Sequence, residues 1–376
     1  MKGRFPELVV LSAVGLFVSA ISGFAMAADT IKIGVAGAHS GDFASYGIPT
    51  LRAAELVVKK VNSSGGVLGK KVVLLAEDDG CKPEFSTTAA TKLVSENADV
   101  VLGHTCSGAT KAALGIYLDS KTIVMSSSAT ETALTLSGDY PNFYRTIAND
   151  DAQAELQVVY ATKYLKTKKV ALLHDKGDYG KGQAQLAKKH FEKAGVEVVL
   201  FEGVPLNAVD YSAIVQKVKR SKADLVIWGG YYQEASKIVT QMRKQKMKTL
   251  FMGADGIKDD TFIKAAGKAA EGAYATGPND VSKNQMFIDA KNAHQKAFGS
   301  DPGPYFYSGY AAALALLTAI EKAGSTDYNA IAKALKSKYF ETPIGKIRFD
   351  NNGDVIGAGF AVFNIKNGKF VEIHAR

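Results

Sequence analysis

Residues 103–108 read GHTCSG and place a histidine, a threonine, a cysteine and a serine in four consecutive positions. Such side chains build nucleophilic enzymes, so an enzyme that uses Cys106 and His104 is one hypothesis. The spacing argues against it, because a nucleophile elbow needs Gly-x-Ser-x-Gly and Ser107 is followed directly by Gly108. The favoured interpretation is binding: Ser107 and nearby backbone N–H groups would open a helix N-terminus, which can hold a carboxylate.

The two cysteines, Cys81 and Cys106, bear on the same question. An even cysteine count in an oxidising compartment predicts a disulfide, and a pair of free thiols is the alternative. A bridge would leave no thiol nucleophile at Cys106.

Metal and phosphate chemistry find no support in the sequence. The six histidines and two cysteines do not fall at metal-ligand spacing. The glycine-rich stretches GVAGAHSG and GDYGKGQ match neither the dinucleotide-binding fingerprint nor the phosphate-binding loop. We therefore expect no metal, no cofactor and no enzymatic activity.

The stretch SSSATET at 126–132 is a second candidate binding segment. Ser128 and Thr130 offer hydroxyl groups, and the backbone of Ser128 and Ala129 can donate or accept hydrogen bonds. Capping of a helix that begins near Glu131 is the alternative, and one position can serve both purposes.

Three segments in the second half of the chain place polar side chains just beyond predicted strands. Tyr231 lies in WGGYYQEA, Asp255 in FMGADGI and Tyr179 in HDKGDYGKG. Asp255 is the natural counter-ion for a bound ammonium group, with a turn aspartate before glycine as the alternative. Carboxylate-binding groups in one half, and a carboxylate with tyrosines in the other, suit a small zwitterion.

All these candidates lie where predicted strands end, which is where open parallel sheets bind ligands. From residue 31 onward, short apolar runs alternate with amphipathic segments rich in lysine and alanine, a pattern typical of parallel sheets covered on both faces. The predicted strands are Ile31–Gly37, Val72–Asp78, Val100–His104, Ile123–Ser127, Val170–Asp175, Val196–Gly203, Leu225–Gly229 and Leu250–Gly253.

The length of 376 residues exceeds what one hydrophobic core usually serves. Two strand–helix series, before and after Phe143–Asn149, predict an α/β protein with two doubly wound lobes of similar architecture. After Gly277 the pattern changes to three helices and then three β-rich runs, so we expect the chain to return to the first lobe and cross back. Crossovers near 146–150, 276–280 and 357 would form a hinge on which the lobes close.

The N-terminus has the pattern of a secretory signal peptide. Lys2 and Arg4 precede an apolar run over about 8–24, and residues 25–27, AMA, match a cleavage site. This predicts an exported protein that loses residues 1–27, with an uncleaved membrane anchor as the alternative. The net charge of +9 comes from scattered lysines without interleaved aromatic residues, so it indicates a solvated surface and no nucleic-acid partner.

Over nearly its whole mature length, the chain resembles the periplasmic leucine/isoleucine/valine-binding proteins of ABC importers. The resemblance is strong because many stretches match in order and spacing. The matching stretches are IKIGVAGAHSGDFASYG, VNSSGGVLGKKVVLLAEDDGCKP, VLGHTCSGAT, SSSATETALT, LLHDKGDYGKG, GGYYQEA and FMGADG. The resemblance implies two Rossmann-like lobes joined by a three-crossover hinge, with an amino acid held in the cleft.

The resemblance also implies roles for residues of the first lobe. Ser107 and Thr130, with the backbone at Ser128, would hold the α-carboxylate and α-ammonium groups of the ligand. The Cys81–Cys106 pair matches the disulfide of the family.

In the second lobe, the resemblance implies that Tyr231 and Asp255 are further partners of the ammonium group, with Gly256 in the same binding segment. The residues similar in placement to those that wall the side-chain pocket are Tyr46, Thr105, Tyr179 and Tyr305. Asp255 stands where the leucine-type proteins carry a longer glutamate, and Thr105 is more polar than an aliphatic residue. A smaller or partly polar ligand is therefore the alternative to a branched-chain one.

We predict a periplasmic substrate-binding protein that captures a branched-chain amino acid (leucine, isoleucine or valine) and delivers it to a membrane ABC permease. We expect a monomer, with 28–148 plus 278–357 as the first lobe and 149–277 plus 358–376 as the second. The alternatives from other classes are the cysteine enzyme described above and a sensor ectodomain of the same fold.

Overall fold

A computed structural model describes residues 1, 3 and 30–375 of the chain. The predicted signal peptide at 1–27 lies outside the described residues, apart from residues 1 and 3. Within the described part, no helix is long and apolar enough to cross a membrane.

The strands form two large sheets and one small sheet. The first sheet contains β1 (Ile31–Gly37), β2 (Val72–Asp78), β3 (Val100–Leu102), β4 (Ile123–Ser126) and β5 (Phe143–Arg145). The second begins with β6 (Lys169–His174), β7 (Glu197–Gly203), β8 (Leu225–Gly229), β9 (Leu250–Gly253) and β10 (Tyr274–Pro278). The small sheet contains β11 (Phe340–Thr342), β12 (Gly345–Phe349) and β13 (Val355–Ile356), after which β14 (Phe360–Lys366) and β15 (Lys369–Ala375) complete the second.

Helices connect most of these strands. In the first half of the chain they are α1 (Ala44–Ser63), α2 (Pro83–Ser95), α3 (Ser107–Asp119), α4 (Ala133–Leu136), α5 (Asp150–Lys163) and α6 (Asp178–Lys193). In the second half they are α7 (Ser212–Ser221), α8 (Tyr232–Lys244), α9 (Asp260–Ala266), α10 (Gln285–Phe298), α11 (Phe306–Ala323) and α12 (Tyr328–Ser337). Short 3-10 turns lie at Gly41–Phe43, Asp255–Ile257 and Gly267–Ala270.

The two large sheets share one strand order. The first is parallel throughout, in the order β2-β1-β3-β4-β5. The second repeats this order as β7-β6-β8-β9-β10 with parallel pairing, and β14 and β15 extend it in antiparallel fashion. The prediction of two doubly wound lobes is confirmed. In each sheet the second strand lies on one side of the first strand and the later strands lie on the other, so the strand order reverses beside β1 and beside β6. Such switch points are where sheets of this kind bind ligands.

The chain passes between the lobes three times, between β5 and α5, between β10 and α10, and between β13 and β14. The returning segment packs on the first sheet, because Leu316 of α11 and Phe349 of β12 share an apolar cluster with Ile33 of β1. The opposite face of the same sheet is covered by a second cluster that joins Val101 of β3 to Leu114 of α3. Burial on both faces explains why the strand sequences are apolar without alternation.

Some boundaries differ from the sequence prediction. β5 and β10 are not predicted, and β5 is only three residues long and ends in an arginine. That arginine, Arg145, is buried because its Nε donates to Asp354 Oδ1 at 2.5 Å. β3 ends at Leu102, before the predicted end at His104, because the chain turns at Gly103. Gly103 has a φ of 147°, and a Cβ there would collide with the carbonyl of Ala36.

Candidate functional site

The predicted site residues of both lobes meet in one cavity between the sheets. The residues that line it are Tyr46, Thr105, Cys106, Ser107, Ser128, Tyr179, Tyr231, Asp255 and Tyr305. The cavity has a volume of about 10 Å³, which is room for about one water molecule. A larger groove of about 860 Å³ shares Asp255 and Tyr305 with it and runs beside the hinge. An amino acid would therefore need the lobes or the lining side chains to move apart.

Three predicted ligand residues do not line the cavity but lie directly behind it. Gly256 contacts two of the lining tyrosines: its carbonyl accepts from the Tyr46 hydroxyl at 2.7 Å, and its N–H donates to the Tyr179 hydroxyl at 3.0 Å. A Cβ at Gly256 would lie 2.6 Å from the carbonyl oxygen of Gly230, so only glycine fits there. Ala129 and Thr130 are fully buried next to Ser128.

The loop after β3 presents Ser107 at the first turn of α3. The helix begins at Ser107 with Cys106 in an extended conformation as its N-cap, as expected for a helix N-terminus at the site. Ser107 Oγ accepts a hydrogen bond of 3.2 Å from the N–H of Glu131, so its own proton remains available to a ligand. The free N–H groups of this first turn give the region a positive potential.

The loop after β4 is held by its own serines. Ser126 Oγ accepts from the N–H of Ala129 at 2.9 Å, and Ser128 Oγ donates to the carbonyl of Thr105 at 2.7 Å. The hydroxyl of Ser128 is thus used inside the protein, while that of Thr130 makes no well-formed hydrogen bond among the described residues and lies near the carboxylate of Asp150. The alternative of helix capping does not hold, because α4 begins only at Ala133 and its N-cap makes no side-chain bond.

Asp255 is the central charged group of the second lobe. Its side chain is buried, and its two oxygens accept from the hydroxyls of Tyr179 at 2.7 Å and Tyr305 at 2.9 Å. Burial raises the pKa of this carboxyl, and the hydrogen bonds from the tyrosines and Gln153 oppose the rise. An ammonium group beside it would restore the charged form.

Aromatic rings wall the rest of the cavity. Tyr231 lies 5.2 Å from Tyr179 and 5.8 Å from Tyr46, measured between ring centroids, and Tyr46 lies 6.0 Å from Tyr305. Burial is the main cause that raises the pKa of each of these four phenols, so they are neutral donors. The wall is apolar in its rings and polar only at the hydroxyl tips.

Asp150 is a buried carboxylate that the sequence reasoning missed. It is the first residue of α5, and neither side-chain oxygen has a well-formed hydrogen bond among the described residues. Burial raises its pKa, Asp255 adds to the rise, and the Thr130 hydroxyl opposes it. Its sequence context gave little signal, because acidic residues are common in the first turn of any helix. Asp150 therefore lies close enough to Asp255 for the two buried carboxylates to interact electrostatically.

The catalytic hypothesis for GHTCSG loses its nucleophile. Cys81 and Cys106 form a disulfide with a Cα–Cα distance of 5.4 Å, so the chain holds no cysteine thiol. His104 does not line the cavity, and Asp79 and Tyr117 hydrogen-bond its ring. In the described part of the chain, no cluster of histidine, cysteine or acidic residues is arranged to hold a metal.

Comparison with known proteins gives the site its context. The family model described as periplasmic binding protein matches residues 30–369. The chain belongs to the periplasmic binding protein family. It is 36% identical over 351 residues to the leucine-, isoleucine-, valine-, threonine- and alanine-binding protein of Pseudomonas aeruginosa, covering 92% of this chain and 93% of that one. It is 34% identical to the Leu/Ile/Val-binding protein of Escherichia coli, covering 93% and 94%.

Solved structures support the same fold for this periplasmic binding protein. A leucine-binding protein of Thermotoga maritima superposes with a TM-score of 0.85 at 24% identity, covering 92% of this chain and 98% of that one. A branched-chain amino acid substrate-binding protein of Streptococcus pneumoniae, solved with isoleucine, gives a TM-score of 0.83 at 26% identity, covering 93% and 99%. The resemblance noted in the sequence and the fold it implied are both confirmed.

Proposed function

We propose that this protein captures an amino acid between its two lobes and delivers it to the membrane permease of an ABC importer. The observation that carries the proposal is the pairing, across one cavity, of the α3 N-terminus at Ser107 with the buried carboxylate of Asp255. A zwitterion carries the two opposite charges that these groups complement. The names of the relatives agree with an amino acid ligand.

In this proposal, each end of the ligand contacts groups of known chemistry. The α-carboxylate accepts hydrogen bonds from the Ser107 hydroxyl and from N–H groups of the adjacent loops. The ammonium group donates to Asp255, to Thr130 and to Asp150, the carboxylate that sequence reasoning missed. Hydrogen bonds to charged groups contribute roughly 1.5–3 kcal/mol each, so these contacts suffice for tight binding without a covalent step.

Contacts between the lobes support a closing motion. Tyr46 donates from α1 to the Gly256 carbonyl, and the Tyr232 hydroxyl and Gln233 amide of α8 both donate to the Asp42 carbonyl at 3.0 Å. We assign residues 28–148 plus 278–357 to one lobe and 149–277 plus 358–376 to the other, in keeping with the sheet to which each strand belongs. The protein would act in the periplasm as a monomer after loss of residues 1–27.

The branched-chain amino acids leucine, isoleucine and valine are the first ligand class. A smaller or more polar amino acid is the second, and the polar side chain of Thr105, which lines the cavity, favours it. The relative from Pseudomonas aeruginosa, which is named for threonine and alanine as well, has both classes in its name.

Calorimetric titration with the twenty amino acids tests the proposal. We expect saturable one-to-one binding of at least one aliphatic or small amino acid. At a ligand concentration 100 times the Kd, the free energy of unfolding should rise by about 2.7 kcal/mol. Tighter binding of threonine or alanine than of leucine would select the second class. Absence of binding by all twenty would contradict the proposed function.

A further inference from the structure

A buried hydrogen-bonded cluster lies behind the Thr105–Ser107 loop and outside the cavity. It consists of His104, Asp79 and Tyr117. His104 Nδ1 lies 2.5 Å from Asp79 Oδ2, and Nε2 lies 3.1 Å from the Tyr117 hydroxyl. The side chains of His104 and Asp79 have no solvent exposure, and Tyr117 is fully buried. Because a carboxylate only accepts, Nδ1 carries a proton, and a neutral ring then accepts at Nε2 from the tyrosine.

The carboxylate of this cluster also fixes the disulfide. Asp79 Oδ1 accepts a hydrogen bond of 2.7 Å from the N–H of Cys81, while Oδ2 faces His104. Cys81 is bonded to Cys106, which is the N-cap of α3 directly before Ser107. One carboxylate therefore holds both sides of the loop that presents the carboxylate-binding serine.

The backbone of His104 fixes the neighbouring loop as well. Its carbonyl accepts from Ser126 Oγ at 2.7 Å, and the same hydroxyl oxygen accepts from the N–H of Ala129 at 2.9 Å. Ser128 Oγ also connects the two loops, because it donates to the carbonyl of Thr105, the residue after His104. The carbonyls of His104 and Thr105 thus connect the two loops that line the first-lobe side of the cavity.

We infer that His104 and Asp79 are positioning residues for the ligand's α-carboxylate, an inference that rests on the proposed function. They do not line the cavity; they hold Ser107 and the 126–130 loop in place before a ligand arrives. A site that is already ordered loses less conformational freedom on binding, so it binds more tightly. Removal of either partner leaves a buried polar group unpaired, which shifts the loop.

Two substitutions at His104 separate this role from simple packing. His104→Leu removes both ring nitrogens, and we expect it to raise the calorimetric Kd for L-leucine and L-threonine by about 10- to 100-fold. His104→Asn keeps an amide donor close to the position of Nδ1, and we expect a rise of only about threefold. Unaltered affinity in His104→Leu, or equal losses in both variants, would overturn the inference.

Asp79→Asn provides the same test if His104→Leu does not fold. In asparagine an NH2 donor replaces one of the two oxygens, so it cannot accept from the N–H of Cys81 at one atom and from His104 at the other, as the carboxylate does. We expect a loss of about 10-fold in affinity while the disulfide stays formed. Affinity equal to that of the unaltered chain would overturn the inference.

A double-mutant cycle distinguishes positioning of Ser107 from a general loss of structure. In a Ser107→Ala background the group being positioned is gone, so Asp79→Asn should weaken binding by a smaller factor than it does alone. In an Asp255→Asn background the factor should stay unchanged, because that group belongs to the other lobe. Equal factors in both backgrounds would overturn the inference. If the unaltered chain binds no amino acid, both the proposed function and the positioning role fail. If it binds an amino acid and Asp79→Asn binds it equally well, only the positioning role fails.

Discussion

The two faces of the cavity are built in different ways. The first-lobe face consists of Thr105, Ser107 and the 126–130 loop, and the second-lobe face consists of Tyr179, Tyr231 and residues 255–256. The first is held by hydrogen bonds within its own lobe, such as that from Ser128 to Thr105. The second is completed by hydroxyl groups of the opposite lobe, since Tyr305 donates to Asp255 and Tyr46 to Gly256. The hydrogen bonds of the first face thus do not depend on contact between the lobes, whereas those named for the second face do.

The two faces differ in charge as well. The first-lobe face offers neutral donors and the positive end of α3. The second-lobe face holds Asp255, and Asp150 is buried close to it at the crossing between the lobes. Burial of these carboxylates raises their pKa values, so their charged forms are electrostatically costly. We expect an ammonium group of the proposed ligand to reduce that cost.

The largest expected effect follows from breaking the second-lobe face. Asp255→Ala removes the acceptor that the ammonium group contacts and leaves two tyrosine hydroxyls without their partner. We expect the calorimetric Kd for the preferred amino acid to rise by about 100-fold or more. Asp260→Ala, at an exposed aspartate on α9, is the matched control and should bind normally. Near-unaltered affinity in Asp255→Ala would contradict the assigned role.

Asp175, which is buried next to Tyr231, predicts a pH-dependent stability for the second-lobe side of the cavity. Burial raises the pKa of Asp175 to about 7, and the nearby Glu234 adds to the rise. A folded-state pKa above the unfolded value means that this group's contribution is fully present below about pH 4 and is lost as pH rises through about 7.

Asp175→Asn should remove that dependence. We expect the unaltered protein to lose about 2 kcal/mol of unfolding free energy from this group between pH 5 and pH 8, and the variant to lose much less. Urea unfolding at the two pH values measures the difference. Asp178→Asn, at a half-exposed carboxylate nearby, is the control. Parallel pH profiles for the Asp175 variant and the unaltered protein would contradict the assignment.

A smaller effect follows from breaking the first-lobe face. Ser107→Ala removes one hydroxyl, but the N–H groups of the α3 first turn remain. We expect the Kd to rise by about 10-fold. Ser212→Ala, at the exposed first residue of α7, removes a serine from the same helix position away from the cavity and should leave the Kd unchanged. A Kd equal to that of the unaltered chain would exclude Ser107 from contact with the ligand.

Much of the fold could be predicted from the sequence because the strands are mostly apolar and several of them end at a glycine or an aspartate. β1, β2, β8 and β9 have the predicted bounds. β5 could not be predicted, since a three-residue strand shows no period, and the ion partner of its buried Arg145 is Asp354, which lies 209 positions further along the chain. A local sequence pattern does not reveal an ion partner that lies so far away in the sequence.

The candidate site divides in the same way. Ser107 and Asp255 could be proposed because they follow strand ends, where parallel sheets bind ligands. Asp150 could not, because nothing in its neighbours distinguishes a buried helix-start carboxylate from an exposed one. The pairing of His104 with Asp79 joins two different strand ends, so it depends on the β2-β1-β3 order and not on local sequence.

The smallest expected effect tests whether closure completes the second face. Tyr232 donates from α8 to the carbonyl of Asp42 in the other lobe, at the exposed edge of the cleft. Tyr232→Phe should raise the Kd by about two- to threefold, since an exposed neutral hydrogen bond contributes little and forms only on closing. Tyr211→Phe breaks a bond of the same kind inside one lobe, to the carbonyl of Pro205, so its Kd should not change. Equal affinities in the two variants would mean that this edge contact does not favour the closed form.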